Sequence, residues 1–187
     1  MKIDRKGVAI AQVFVFIVAA ITFAFITIFG YQAISDFISS GEEVAFIQFK
    51  NDLEGSVKKI YTEYGAVRVE TYRLPIGYER ICFVNFDFLG GMDGLREISP
   101  YAYDLYDTAL EDRDRVDDDK TLYELTQQNV FLMPPSQHKI KTIPITIMDY
   151  SSGNQIGYLC EEINKGRFSI VLQGKGSHTE IASPRER

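Results

Sequence analysis

Charged side chains are missing from one long part of this sequence, since none occurs between Lys6 and Asp36. This absence excludes an ordinary water-exposed helix, because residues 8–29 are almost wholly apolar. A bilayer core is crossed by about 20 apolar residues in a helix. A charge at the midplane would cost roughly 2.5–3.5 kcal/mol. We therefore expect residues 8–40 to form a transmembrane or otherwise covered hydrophobic helix, on the order of 50 Å long.

Histidine and cysteine are scarce, and the common catalytic motifs are missing. The two histidines, His138 and His178, stand beside loop-like residues and match no catalytic constellation. Cys82 and Cys160 lack the spacing of a zinc site or a C-x-x-C redox motif. The sequence contains neither a G-x-S-x-G element nor a P-loop. We therefore expect no enzyme activity, no cofactor and no metal centre.

The part of the chain after the apolar run is acidic, because the net charge is -6 although the segment before the run is basic. This balance argues against nucleic acid as a partner. Aspartates concentrate in residues 112–119, where an EF-hand loop would need an oxygen ligand at Val116 and glycine at Asp117. Residues 111–120 are predicted to be a solvated, charged loop, and an irregular cation site at its aspartates is the alternative.

The charges on either side of the apolar run predict its orientation. Lys2, Arg5 and Lys6 precede the run, whereas Glu42 and Glu43 follow it. The positive-inside rule then places the N-terminus in the cytoplasm and the domain outside, in a single-pass arrangement with membrane lipid as a partner. The run exceeds the 7–15 residues of a cleaved signal's apolar region, which favours a retained segment.

The two cysteines have two interpretations. In an extracytoplasmic domain, Cys82 and Cys160 can form a disulfide. Alternatively, both are free thiols buried in strands, since cysteine is commonly buried.

Turn-forming and acidic residues at 39–43 predict a helix break and the start of a second helix, 43–64. The second helix is amphipathic, because its apolar residues recur every three or four positions. We expect this stripe to pack in the core; it comprises Phe46, Phe49, Leu53, Val57, Ile60 and Tyr64.

Residues 66–182 are predicted to be β-rich, with a hairpin formed by 66–74 and 79–86. A short helix is expected at 101–110, capped by Ser99 with Pro100 in its first turn. Further strands are predicted at 129–133, 139–148, 155–162 and 168–173. The fold class is therefore α+β: a long N-terminal hydrophobic helix, a second amphipathic helix and a C-terminal antiparallel β-rich domain. The extracytoplasmic domain covers 42–183, and 184–187 form a tail.

The sequence Arg5-Lys6-Gly7, followed directly by the apolar run from Val8, resembles the class III signal of archaeal type IV pilin-like proteins. The resemblance implies that residues 1–7 are a basic leader cut between Gly7 and Val8. It also implies that the helix bundles with copies of itself or with other pilin-like subunits. Many such subunits carry glutamate at the fifth mature position, where this chain has Gln12.

The function implied by the resemblance is a structural subunit of an archaeal cell-surface filament or its machinery. Gln12 favours a minor subunit, because a neutral amide pairs with the new N-terminal amine less strongly than a carboxylate does. The alternative is a single-pass membrane protein with an extracytoplasmic binding domain that is not assembled into a filament.

Overall fold

The structure is a computed structural model that describes residues 5–88, 90–116 and 120–184. For residues 5–12, 36–40 and 116 it describes the backbone alone. The chain divides into two compact units, Met1–Val44 and Ala45–Arg187. The α+β fold class is confirmed. The described helices are α1 (Arg5–Tyr61), α2 (Asp93–Ile98), α3 (Pro100–Val116) and α4 (Leu122–Leu125). The described strands are β1 (Val67–Arg73), β2 (Arg80–Val84), β3 (Val130–Met133), β4 (Ile145–Asp149), β5 (Asn154–Ile156), β6 (Tyr158–Glu162), β7 (Arg167–Gly174) and β8 (Thr179–Ala182).

The predicted break between the hydrophobic and the amphipathic helix is wrong, because the backbone is helical without interruption from Arg5–Tyr61. The segment 39–43 holds one glycine, Gly41, and glycine costs a helix only about 1 kcal/mol relative to alanine. Helix propagation is cooperative, so the helical segments on both sides carry the helix through such a weak position. The predicted amphipathic segment is helical, but it is the C-terminal part of α1.

The apolar stripe of this C-terminal part is core, as predicted. Phe49 is 2% exposed, Ile60 is 1% exposed, and Leu53 and Val57 are fully buried. They share one hydrophobic cluster with side chains from both sheets. Tyr64 was predicted to continue the stripe, which is wrong: it is 83% exposed. The helix ends three residues earlier, so the helical spacing no longer determines which way that side chain points.

Two sheets share this core. The five-stranded sheet has the order β1-β7-β8-β4-β5, and the three-stranded sheet has the order β3-β2-β6. Neighbouring strands are antiparallel apart from β4 and β8, which run parallel. A second hydrophobic cluster includes Cys82 and Phe131 of the three-stranded sheet, together with Leu95 of α2 and Ala102 of α3.

The predicted hairpin of residues 66–74 and 79–86 is wrong. β1 pairs with β7, from Val67 opposite Gln173 to Arg73 opposite Arg167. β2 lies in the other sheet, between β3 and β6. The physical reason is burial: β2 is buried along most of its length, as a central strand must be, whereas β1 alternates between more and less exposed residues. The turn-forming residues after β1 therefore connect a strand of one sheet to a strand of the other.

The predicted strand 155–162 divides into β5 and β6, which belong to different sheets. The division falls at Gly157, where an added Cβ would lie 2.9 Å from Met92 Sδ and 3.2 Å from Phe88 Cδ1. The predicted strand 139–148 begins only at Ile145, apart from an isolated bridge between Ile140 and Val130. The chain passes from one sheet to the other at Gly157, because a residue without a side chain lets the backbone lie close to Met92 and Phe88.

The helix predicted at 101–110 is α3, and it begins at Pro100 as expected. The Ala102 amide donates to Ser99 Oγ over 3.4 Å at its start. The helix extends to Val116, so residues 111–116, predicted as part of an acidic loop, are helical. An ion pair of 3.3 Å between Arg115 and Glu111 favours the added turn. The remaining aspartates of the predicted loop, Asp117, Asp118 and Asp119, lie outside the described residues.

Candidate functional site

An uncovered apolar surface follows α1 over Val13–Ser35, 23 residues of which none is buried. Phe14 is 67% exposed and Phe23 is 72% exposed. A large apolar side chain left in water costs roughly 1.5–3 kcal/mol relative to a buried one. Repeated along the whole segment, this cost means that the surface needs a cover of lipid or protein.

The hydroxyl groups in this surface are satisfied within the helix. Thr22 Oγ1 donates to the Val18 carbonyl over 2.8 Å, and Thr27 Oγ1 donates to the Phe23 carbonyl over 2.9 Å. These bonds let both threonines enter a hydrocarbon environment without an unmatched donor. At 1.5 Å per residue the segment spans about 34 Å, enough to cross a bilayer core. A signal sequence near an N-terminus can also form an apolar helix of this kind.

The residues of the predicted processing site belong to the same helix. Gly7, Val8 and Gln12 lie within the described backbone of α1, and the side chains of Val8 and Gln12 lie outside the described part. Cleavage after Gly7 and the role of Gln12 therefore stay predictions.

A disulfide joins Cys82 and Cys160, whose Cα atoms are 4.0 Å apart. The two residues lie directly opposite each other on β2 and β6. Cys82 is fully buried, whereas Cys160 is half-buried. Of the two interpretations that the sequence allowed, the structure has the bonded pair.

The two histidines have different neighbours in the part of the chain that the structure describes. That part holds no group of three or more His, Cys, Asp or Glu side chains able to bind a metal ion. The ring of His138 is tilted by 36° against the ring of Phe46, with the centroids 5.3 Å apart. His178 Nε2 lies 3.8 Å from Glu180 Oε1, and Glu180 Oε2 lies 3.0 Å from Lys175 Nζ. The two histidines therefore do not share a site.

A buried polar network follows α4. The Thr142 amide donates to Asn129 Oδ1 over 2.9 Å, and the Tyr123 hydroxyl donates to the Thr142 carbonyl over 2.7 Å. Lys141 Nζ donates to the carbonyls of Tyr123 and Thr126 over 2.9 and 2.7 Å. Burial raises the pKa of Tyr123, and the nearby carboxylate of Asp87 acts in the same direction. The network ties the segment 126–142 to α4, so its role is structural.

An open groove of about 750 Å³ lies between the C-terminal part of α1 and β1. Tyr72 lines it, and burial raises the pKa of this tyrosine to about 12, an effect that the Ser56 hydroxyl only partly offsets. The hydroxyl therefore stays neutral near pH 7 and is a poor nucleophile. The groove lies beside β1, and its lining also includes Asp52, Lys59 and Glu70.

Comparisons with protein-family models, with curated proteins and with solved structures find no match to this chain. The functional assignment therefore depends on the apolar segment of α1 and on the disulfide-bonded domain. The absence of charges indicated the apolar segment, whereas the two cysteines allowed either a disulfide or two free thiols. It did not indicate how Thr22 and Thr27 are satisfied, although threonine four residues after a carbonyl in a helix is the signal for that bond.

Proposed function

We propose that this chain is a structural, pilin-like subunit of an archaeal cell-surface filament or its machinery. In this proposal the apolar segment of α1 first resides in the membrane and then packs against other subunits. The observation that carries the proposal is the uncovered segment Val13–Ser35, which is apolar around its circumference and forms part of the helix that also enters the core of a folded domain.

The disulfide supports an extracytoplasmic position of the domain. Bonds such as Cys82–Cys160 form and persist in oxidising compartments. The positive charges of Lys2, Arg5 and Lys6 before the apolar segment support the same orientation. Both observations fit a domain outside the cell on a helix that starts in the cytoplasm.

The N-terminal sequence supports a processed subunit. A cut between Gly7 and Val8 would leave the amine of Val8 at the start of the apolar helix. Gln12 would face this amine as a neutral partner, and charge-assisted hydrogen bonds are roughly twice as strong as neutral ones. Weaker pairing favours a minor, tip or scaffold subunit over the major one.

The test is N-terminal sequencing of the chain from its native host, together with its recovery in sheared surface filaments. Gly7→Leu should block processing and filament recovery. Gly7→Ala is the matched control, because the resemblance implies that alanine is also accepted before the cut, and it should be processed. Gln12→Glu should increase the share of the chain in filaments by restoring a charged partner for the amine.

An uncut N-terminus combined with a purely membrane-embedded monomer would contradict the filament subunit. That result would favour the alternative, a single-pass membrane protein with an extracytoplasmic binding domain.

A further inference from the structure

β1 is an edge strand of the five-stranded sheet, and its outer side carries unpaired backbone groups. The Gly174 amide donates to the Ala66 carbonyl over 2.9 Å, and the Leu74 amide donates to the Gly166 carbonyl over 2.8 Å. Because alternate residues of an antiparallel ladder face the partner strand, the even-numbered residues of β1 direct their N–H and C=O groups towards β7. The odd-numbered residues direct theirs outward, where the described part of the chain supplies no strand; they are Val67, Val69, Thr71 and Arg73.

The C-terminal part of α1 forms a second wall beside this open side of β1. The ring of Tyr72 lies 6.2 Å from the ring of Phe49, so the even-numbered side chains of β1 lie on the face of the sheet that α1 covers. The groove of about 750 Å³ between the two elements is here called the α1–β1 groove. Gly55 of α1 lines it, and nothing lies within 4 Å of a Cβ added there. A strand that extended the sheet beyond β1 would therefore enter this open space.

Two carboxylates line the α1–β1 groove, Asp52 from α1 and Glu70 from β1. Burial raises the pKa of Tyr72, and the charges of Glu70 and Asp52 act in the same direction, so both carboxylates lie near its hydroxyl. Neither carboxylate forms an ion pair with a residue that the structure describes. Lys59 lines the same groove, and these three groups together leave one negative charge. The groove therefore favours a positively charged side chain at the two carboxylates.

The other face of β1 is apolar at its start. Val67 is 57% exposed and Val69 is 65% exposed. Both residues are odd-numbered, so their side chains lie on the face away from α1. An added strand would cover these two valines best with apolar side chains on the same face.

We propose that the α1–β1 groove binds an extended peptide segment of a partner protein, which adds to β1 as an antiparallel strand. The segment carries lysine or arginine opposite Glu70 and apolar residues opposite Val67 and Val69. Residues directly opposite each other in an antiparallel pair have side chains on the same face, so the basic side chain enters the groove towards Glu70 and Asp52. The added strand supplies backbone hydrogen bonds, and its alternating side chains supply selectivity.

This inference is independent of the proposed function. The groove and β1 both belong to the compact unit Ala45–Arg187. Binding is therefore expected whether the chain is a filament subunit or the single-pass alternative.

The test is titration of the detergent-solubilised full chain into the peptide Thr-Lys-Val-Thr-Val, labelled with fluorescein at its N-terminus and amidated at its C-terminus. Fluorescence anisotropy should show saturable binding, with the lysine opposite Glu70 and the two valines opposite Val69 and Val67. The matched control peptide has glutamate in place of lysine. It should bind at least about tenfold more weakly, because it places like charges side by side.

N-methylated peptides test whether the contact is a strand pairing. The peptide residue opposite Val69 directs its N–H towards β1, whereas the N–H of the lysine opposite Glu70 points away. Methylation of the backbone nitrogen of the central valine should therefore abolish binding. The same modification at the lysine is the matched control and should retain it.

Variants of the protein test the location of the site. The double variant Asp52→Asn with Glu70→Gln should reduce the preference for the lysine peptide over the glutamate peptide to less than about twofold. Glu54→Gln is the matched control, because this carboxylate lies on the same part of α1, pairs with Lys50 and does not line the groove. It should keep the full preference. A near-UV circular dichroism spectrum like that of the wild type shows that each variant is folded.

Four results would overturn the proposal. Two concern the wild-type chain: no saturable binding of the lysine peptide, and equal binding of the lysine and glutamate peptides. The third is binding that survives methylation of the central valine, which would exclude strand addition. The fourth is an unchanged preference in folded Asp52→Asn with Glu70→Gln, which would place the binding outside the groove.

Discussion

Gly174 allows the end of α1 to approach the five-stranded sheet closely. A Cβ at this position would lie 2.1 Å from the Ile60 carbonyl oxygen and 2.3 Å from that of Glu63. Both neighbours are backbone atoms, so a side-chain rotation cannot relieve the clash. We expect Gly174→Ala to lower the free energy of unfolding by about 1–3 kcal/mol, the usual cost of overpacking.

Urea unfolding of the detergent-solubilised chain, followed by near-UV circular dichroism, measures this effect. Gly55→Ala is the matched control, because nothing lies within 4 Å of the added Cβ and the residue is in a helix. It should stabilise the protein by roughly 0.5–1 kcal/mol. Equal effects of the two substitutions would contradict the close approach.

The turn after β4 depends on the ionised form of Asp149. Its carboxylate accepts hydrogen bonds from the Ser151 and Ser152 hydroxyls over 2.6 and 2.7 Å. These bonds lower the pKa of Asp149 to about 2. Because the folded-state pKa is depressed, the stabilisation is present above the ordinary value near 4 and is lost as the pH falls towards 2.

We therefore expect Asp149→Asn to lower the Tm at neutral pH. The two Tm values should converge as the pH falls from about 4 to about 2. Thermal unfolding at a series of pH values measures this convergence, and Ser152→Ala should show a smaller loss with the same trend. A Tm difference that is unchanged at pH 2 would exclude ionisation of Asp149 as its cause.

At the scale of elements, the disulfide links β2 to β6 across a sequence separation of 78 residues. Closing a loop of this length stabilises the folded state by about 4 kcal/mol in the chain-entropy model. The double variant Cys82→Ala with Cys160→Ala should lose about this much in urea unfolding. Reduction of the wild-type chain should produce a similar loss and leave the double variant unchanged. Two free thiols in protein from the native host, detected by non-reducing peptide mass spectrometry, would contradict the bond.

At the scale of the whole molecule, the charges around the apolar segment predict which side of the membrane holds the domain. Protease added outside intact cells, after surface layers are opened, should digest residues from about Glu42 onward. Replacing Lys2, Arg5 and Lys6 by glutamine should reduce the digested fraction by weakening the orientation signal. Full protection of the wild-type domain from outside, with digestion from the cytoplasmic side, would reverse the topology.

Local sequence patterns predicted the apolar and amphipathic parts of α1 and the start of α3. The charge-free run predicted the uncovered segment of α1, and the spacing of Phe49, Leu53, Val57 and Ile60 predicted the buried stripe. Ser99 and Pro100 predicted the start of α3. The capping box of Thr121 and Glu124 is a further local signal in the sequence, and it marks the start of α4.

The sequence by itself determined the apolar helix, the amphipathic core stripe and the β-rich composition, because these follow from charge and from periodicity over neighbouring residues. Only the tertiary structure decided that β1 pairs with β7 and that β5 and β6 separate at Gly157. It also placed Cys82 opposite Cys160. Strand pairing depends on contacts between residues far apart in the chain, and the same alternating pattern is compatible with many partners.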